Sequence, residues 1–488
     1  MAQTVTGRLF RGLTILLDRQ PGWGSIVGAC GLVCVVLVGC QTASRGGISS
    51  AAMQLPEGSR AWNAQLAFDQ GLEAFAMLRV HGGWPMAYST DLSRRWGEFD
   101  PCDEWQITVQ PPATPRVGEV YLRAAKVTGN RKYLRIAREA ADILMDGQLA
   151  NGGWWHEIRL DAKGPAEYYY LKDRGNHEKA DLFCTATLDD RTTQGAIDFM
   201  MRIAAETGDR DYQSSAKAGL DFLLAAQYPQ GGWPQHCPPG NTGYHRYLTL
   251  NDGASTDAMT TLLRGFHQYN DPRYLNAVLR AADWLIAFQL PEPHRGWAQQ
   301  YALDGQAAPA RWFEPPACCS AVTANVIDTL IEVYLETGDK RYLDPIPDVI
   351  AWFEKSEIRP GVWARFYEVG TNRPIYVNAN REVVYEQVNL RPGYSWEGGY
   401  ATAAIENYQK LMRLQRIAYL KDRQFITPEE EVTRFGTLER EVDKIAAEQT
   451  SEGYWVAGDR ISCGAFVQAC DSLCEYLELW GKKSVPTQ

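Results

Sequence analysis

Cationic charge is what this sequence is short of. Lys and Arg number 49 against 59 Asp and Glu, for a net charge of −10. Phosphate backbones are held by basic surfaces, so the deficit argues against general nucleic-acid binding. Cys-x-x-Cys pairs are missing as well, and Cys470 and Cys474, four apart, have no further matched ligands for a zinc–thiolate site. With 43 Gly and 25 Pro in 488 residues, the chain is neither collagen-like nor low-complexity. Its 22% charged and 45% hydrophobic residues exclude a disordered polymer and allow a sizeable core. What it has in quantity is tryptophan, 16 in all. Flat aromatic faces suit sugars, and they also fill cores well.

The N-terminus reads as a targeting segment. Arg8, Arg11 and Arg19 precede an apolar stretch over residues 25–39 that ends in Leu37-Val38-Gly39-Cys40. A basic start, a short apolar core and small residues at the end make a secretory signal, and the stretch falls short of the about 20 residues of a membrane span. The last four residues resemble a bacterial lipobox, which implies a lipidated Cys40. Residues 41–60 then form a Ser/Ala/Gly-rich tether. Eight cysteines follow Cys40, an even number that an exported setting would permit to pair.

An internal repeat organises the remainder. Tyr133, Leu144, Gln148 and Gly153-Trp154 align with Tyr212, Leu223, Gln227 and Gly232-Trp233, and with Tyr274, Leu285, Gln289 and Gly296-Trp297. A turn precedes each copy: Thr128-Gly129-Asn130, Thr207-Gly208-Asp209, Asn270-Asp271-Pro272, with a fourth at Thr337-Gly338-Asp339. The apolar spacing is helical, the turn glycine ends one helix in the left-handed region, and the Asp or Asn caps the next. The unit is helix, tight turn, helix, Gly-Trp loop. Inner helices are expected over 114–128, 191–207, 254–269, 317–336, 400–413 and 460–480, with the last pairing with a first helix near 62–79. This predicts an all-α fold with little β structure, an α/α toroid. The toroid spans 61–415, and helices of 416–488 close it.

Every loop that follows a Gly-Trp and precedes an inner helix opens on one rim, and there the unusual polar residues gather. One loop carries Leu188-Asp189-Asp190-Arg191-Thr192-Thr193-Gln194, the next Thr249-Leu250-Asn251-Asp252-Gly253. Carboxylates from adjacent hairpins make an oxygen-rich site of the kind Ca²⁺ takes, although Asp and Asn are also ordinary helix caps. Further on come Arg311-Trp312-Phe313-Glu314, Arg365-Phe366-Tyr367-Glu368, Thr371-Asn372-Arg373-Pro374 and Arg381. Arginines beside aromatics suit a sugar carboxylate; ion pairs to Glu314 or Glu368 are the plainer role.

In order along residues 80–400, Gly83-Trp84-Pro85, Leu188–Gln194, Gly232-Trp233-Pro234-Gln235, Thr249–Asp252, Trp297-Ala298-Gln299-Gln300, Pro309–Glu314, Trp363–Glu368, Thr371–Pro374 and Gly393-Tyr394-Ser395-Trp396 resemble the pectate lyases of polysaccharide lyase family ten. The resemblance implies an α/α toroid that cleaves polygalacturonate by calcium-assisted β-elimination. It also implies that Asp189 and Asp252 serve calcium and substrate, and that Arg311 and Arg365 bind substrate. The family has Asp-Asn where this chain has Asp189-Asp190. Its base is an arginine shortly after Asn-Arg-Pro, where this chain has Ala379, with Arg381 two residues on. The expected site is thus Asp189 and Asp252 for Ca²⁺, with Arg311, Arg373, Asp190, Trp233 and Asn251 for substrate. Arg365 and Arg381 carry the catalysis, and Tyr367, Tyr385 and His245 are alternative bases. The expected partner is an anionic polysaccharide, and the protein an exported, lipid-anchored monomer. A glycoside hydrolase using Asp189 or Asp190 with Asp252, and a binding protein that kept the cleft but lost the base, are the competing readings.

Overall fold

A computed structural model describes residues 55–484 apart from Phe99 and Ile426. The chain divides after Leu55, and the unit that begins at Pro56 carries the fold. The signal-like stretch, Cys40 and most of the tether lie outside the described residues.

Twelve helices make the ring: α1 (Arg60–Met77), α2 (Thr114–Thr128), α3 (Arg131–Asp146), α4 (Thr192–Thr207), α5 (Arg210–Ala226), α6 (Ala254–Tyr269), α7 (Pro272–Ala287), α8 (Ser320–Thr337), α9 (Ile346–Ser356), α10 (Thr402–Gln424), α11 (Pro428–Glu448) and α12 (Cys463–Ser484). The Thr-Gly-Asp turns act as expected. Gly208 and Gly338 sit at φ 69° and 73°, and Asp209 and Asp339 then accept the backbone N–H of Asp211 and Arg341. Inner helices α4 and α8 are buried on most of their surface, whereas outer α5 buries a single stripe. The inner succession runs α12, α2, α4, α6, α8, α10 by direct packing. The fold is an α/α toroid.

The repeated Gln and Trp are the joints of this ring. Trp154, Trp233, Trp297 and Trp455 donate their indole N–H to the carbonyls of Leu144, Leu223, Leu285 and Ile445 in the helix just left. Each glutamine amide reaches the next hairpin: Gln148 to the Ser215 carbonyl, Gln227 to Ala277, Gln289 to Pro345. Gln449 makes the same bond to Ala67 in α1, across 382 positions. The indole bonds answer last-turn carbonyls that have no helical partner, while the glutamine bonds tie each hairpin to the next.

Short strands link the rim loops in the same circular order. Residues 106–108 pair with 157–159, 186–187 with 236–237, 248–249 with 300–301, 317–319 with 366–368, and 460–462 with 87–89. Two expected helix starts are thereby corrected. Residues 317–319 and 460–462 are strands, because each completes a ladder with its neighbouring loop before the helix begins. The helix expected over 400–413 starts at Thr402 and breaks at Gln415 (φ 63°, ψ 161°), after which Tyr419 hydrogen-bonds back to Asn407. All eight cysteines after Cys40 are free thiols. Among the described residues no helix is long and apolar enough to cross a membrane.

Candidate functional site

Two rim loops build the acidic half of the site by one device. In each, a two-residue strand leads into a single 3₁₀ turn and then an inner helix: 186–187, Asp189–Arg191, α4; and 248–249, Asn251–Gly253, α6. Asp190 (φ 43°) and Asp252 (φ 49°) occupy equivalent left-handed positions, which cost a non-glycine residue energy and therefore need support. The support is local. Thr193 and Ser255 accept the backbone N–H of Trp154 and Trp233, and the Gln194 amide donates to the carbonyls of Leu188 and Ala254, joining the two turns.

Asp189, Asp190 and Asp252 each bring an oxygen within 4.8 Å of the others. Burial, reinforced by the Asp252 charge, raises Asp189; burial, then the Asp190 charge, raises Asp252; and the two share a hydrogen bond. Asp190 faces the open cleft and is raised to about 6 by desolvation and then by Asp189. One buried oxygen of Asp189, Oδ1, has no hydrogen-bond partner. An orphaned carboxylate oxygen among crowded like charges is the donor set a hard cation satisfies. Gln110 donates to Asp190 at 3.3 Å, and Asn251 donates to Asp252 while accepting from Gln299 at 2.7 Å.

The opposite half is cationic and aromatic. Arg311 pairs with the buried Glu314 and lies 3.7 Å from Asp252. Arg365 lines the same central cavity, of about 1130 Å³, as Asp190 and Asp252. Its guanidinium lies 4.6 Å from the Tyr394 ring centre and 5.9 Å from that of Tyr400, and its Nε is buried without a hydrogen-bond partner. Arg391 lies over Phe313 at 3.9 Å and Arg381 over the exposed Trp312 at 5.2 Å. Among the described residues Arg365, Arg381 and Arg391 form no ion pair. A ring face stabilises such a cation only partly, so these groups remain available to an anion.

The pectic acid lyase family model matches residues 165–359 and 355–405, which hold both halves of the site. Over that stretch the chain belongs to the pectic acid lyase family. It is a divergent member. A family 10 polysaccharide lyase from Cellvibrio cellulosa aligns with 20% identity over 60% of this chain and 97% of its own, at a TM-score of 0.46. An α-1,6-mannanase from Salegentibacter sp. HEL1_6 aligns with 12% identity over 86% and 100%, at 0.43. A cellobiose 2-epimerase from Spirochaeta thermophila DSM 6192 aligns with 14% identity over 86% and 96%, at 0.47. No curated protein matches the chain.

Against the site expected for a pectic acid lyase, the residues sort as follows. Asp189, Asp190, Asp252, Arg311 and Arg365 converge on the cleft, and Arg381 sits over Trp312 at the tip of the hairpin joining 374–377 to 383–384. Trp233 is a correction: fully buried, with its indole spent on Leu223, it belongs to the ring's joints and cannot stack on substrate. Asn251 is 2% exposed and holds Asp252. Arg373 stacks over Tyr385 at 3.7 Å, outside the carboxylate group. Of the alternative bases, Tyr367 is buried with its hydroxyl on the Ser356 carbonyl, Tyr385 donates to Glu368, and His245 is sandwiched between His236 and Tyr244. Sequence reading missed Gln110, Gln299 and Arg391. The equivalence of Asp190 with Asp252 was readable in Thr187-Leu188-Asp189-Asp190 against Thr249-Leu250-Asn251-Asp252.

Proposed function

We propose that this protein cleaves polygalacturonate by calcium-assisted β-elimination. The observation that carries the reading is the opposition of three crowded carboxylates to a set of arginines without acid partners. A polyuronate brings carboxylates to the arginines, and a bridging cation relieves the acids. Asp189 and Asp252, with Asp190 beside them, would hold Ca²⁺, which when bound stabilises negative charge developing on the uronate carboxyl group.

The protein's own groups then act as follows. Arg365 and Arg311 orient the carboxylate of the sugar to be cleaved through charge-assisted hydrogen bonds that strengthen as charge builds there. Asn251 and Gln110 fix the carboxylates that face it. Arg381, in its neutral form, takes the proton from C5. The electron pair left behind forms the C4–C5 double bond as the C4–O4 bond breaks, and the leaving oxygen acquires a proton. Export and lipidation at Cys40 would place this activity outside the cytoplasm, and labelled-lipid incorporation that disappears in Cys40→Ser tests that part.

Polygalacturonate should give unsaturated products, visible as new ultraviolet absorbance, and the rate should fall on chelation. A second reading is a glycoside hydrolase using Asp189 or Asp190 with Asp252, whose carboxyls burial and neighbouring charge raise. It gives reducing ends without the absorbance.

A further inference from the structure

A second groove opens on the rim, in the first loop, away from the carboxylates. It encloses about 410 Å³ between residues 92–95 and 101–105, within the roughly 300–1,000 Å³ of small-ligand sites. Trp105 lines it and is 37% exposed, with its ring stacked on His81 at 5.3 Å, so that the indole is held as a platform. Arg94 and Arg95 line it too, and among the described residues neither guanidinium has an ion pair. Of the two acids in the lining, Asp103 is held by Arg159 at 2.9 Å, which leaves Glu104 against the two arginines. Exposed Leu92 adds apolar surface. Two unspent arginine forks beside an exposed ring are the chemistry that holds a sugar carrying a carboxylate.

The groove is tied to the cleft by its own chain. From Trp105 the backbone continues through strand 106–108 to Gln110, whose amide bonds Asp190. Five residues of extended chain span at most about 17 Å, a distance one polysaccharide chain can bridge.

We propose that this groove is a distal subsite for a uronate residue of the polysaccharide lying in the cleft, engaged only by ligands long enough to reach it. The proposal rests on the polyuronate reading of the cleft and names a further contact for the same substrate.

Affinity electrophoresis through gels containing polygalacturonate tests it without requiring turnover, using wild type, Trp105→Ala and the double variant Arg94→Ala/Arg95→Ala, with melting temperature as the check on folding. The groove residues lie on the surface, so both variants should fold. Retardation by the polymer should weaken about tenfold in each, a change worth about 1.4 kcal/mol, while turnover of trigalacturonate stays at the wild-type rate. Retardation equal to wild type in both variants would overturn the subsite, as would a parallel fall in trigalacturonate turnover. If wild type is retarded but releases no unsaturated product, and the variants lose retardation, the groove stands and the lyase reading falls. A wild type that polygalacturonate does not retard overturns the groove.

Discussion

The two halves of the cleft are short of opposite things. On the α4 and α6 side, three carboxylates crowd together, one oxygen has no donor, and the charged state is disfavoured. On the side built by residues 311–314 and 365–400, Arg365, Arg381 and Arg391 rest on aromatic rings with no acid beside them. A protein selected for stability alone would pair these charges across the cleft, since an unpaired buried charge is costly. Among the described residues only Arg311 leans across, 3.7 Å from Asp252, and Glu314 holds most of it back. The separation is what an anionic sugar with a cation would complete.

The comparison breaks most decisively at Arg381. If it is the base, Arg381→Lys keeps the charge, loses the planar fork, and should lower kcat by about 10²–10⁴-fold with substrate binding retained. Unchanged kcat would remove Arg381 from the chemistry. Next is the acidic side: Asp252→Asn should lower activity roughly 100-fold at low Ca²⁺ and recover part of it as Ca²⁺ is raised, measured by turnover against metal concentration. Arg365→Ala comes third. Losing one charge-assisted bond of about 1.5–3 kcal/mol should cut kcat/KM on polygalacturonate about 10- to 150-fold while leaving the Ca²⁺ response intact. That independence separates the two halves experimentally.

A smaller effect sharpens the acidic half without substrate. Asp190 rises from 3.8 to about 6 in the folded protein. A carboxyl that binds its proton more tightly when folded contributes most stability below its unfolded pKa, and that contribution is lost as pH climbs through the folded one. In chelator, the melting temperature should therefore decline between about pH 4 and pH 7, less steeply in Asp190→Asn. Identical slopes would place the strain elsewhere. The smallest change is structural: Thr193→Ala removes the hydroxyl that accepts the Trp154 N–H and should cost about 1–3 kcal/mol in denaturant unfolding.

The ring was legible in the chain because its joints are local and repeated. A Tyr, Leu, Gln and Gly-Trp at constant spacing, with a Thr-Gly-Asp turn, say helix, turn, helix wherever they recur. The same pattern carried Trp233 too far, since a tryptophan suited to sugars by composition is spent, in the ring, on the carbonyl of Leu223. Strands at 317–319 and 460–462 were invisible because each exists only through its ladder partner, 366–368 or 87–89. Closure, too, is nonlocal: Gln449 reads as one more repeat, and only packing sets it on Ala67.

The site divides along the same line. Residue order determined which side chains each rim loop carries, and the paired Thr-Leu-Asp-Asp and Thr-Leu-Asn-Asp segments determined that two turns would be alike. Tertiary structure alone decided that Asp189, Asp190 and Asp252 meet within 4.8 Å, that Arg365 lacks an acid while Arg311 has one, and that Arg373 faces Tyr385 instead of the cleft. Spacing along a chain specifies local geometry, but the burial and mutual repulsion that raise a carboxyl's pKa arise only where separate loops are brought together.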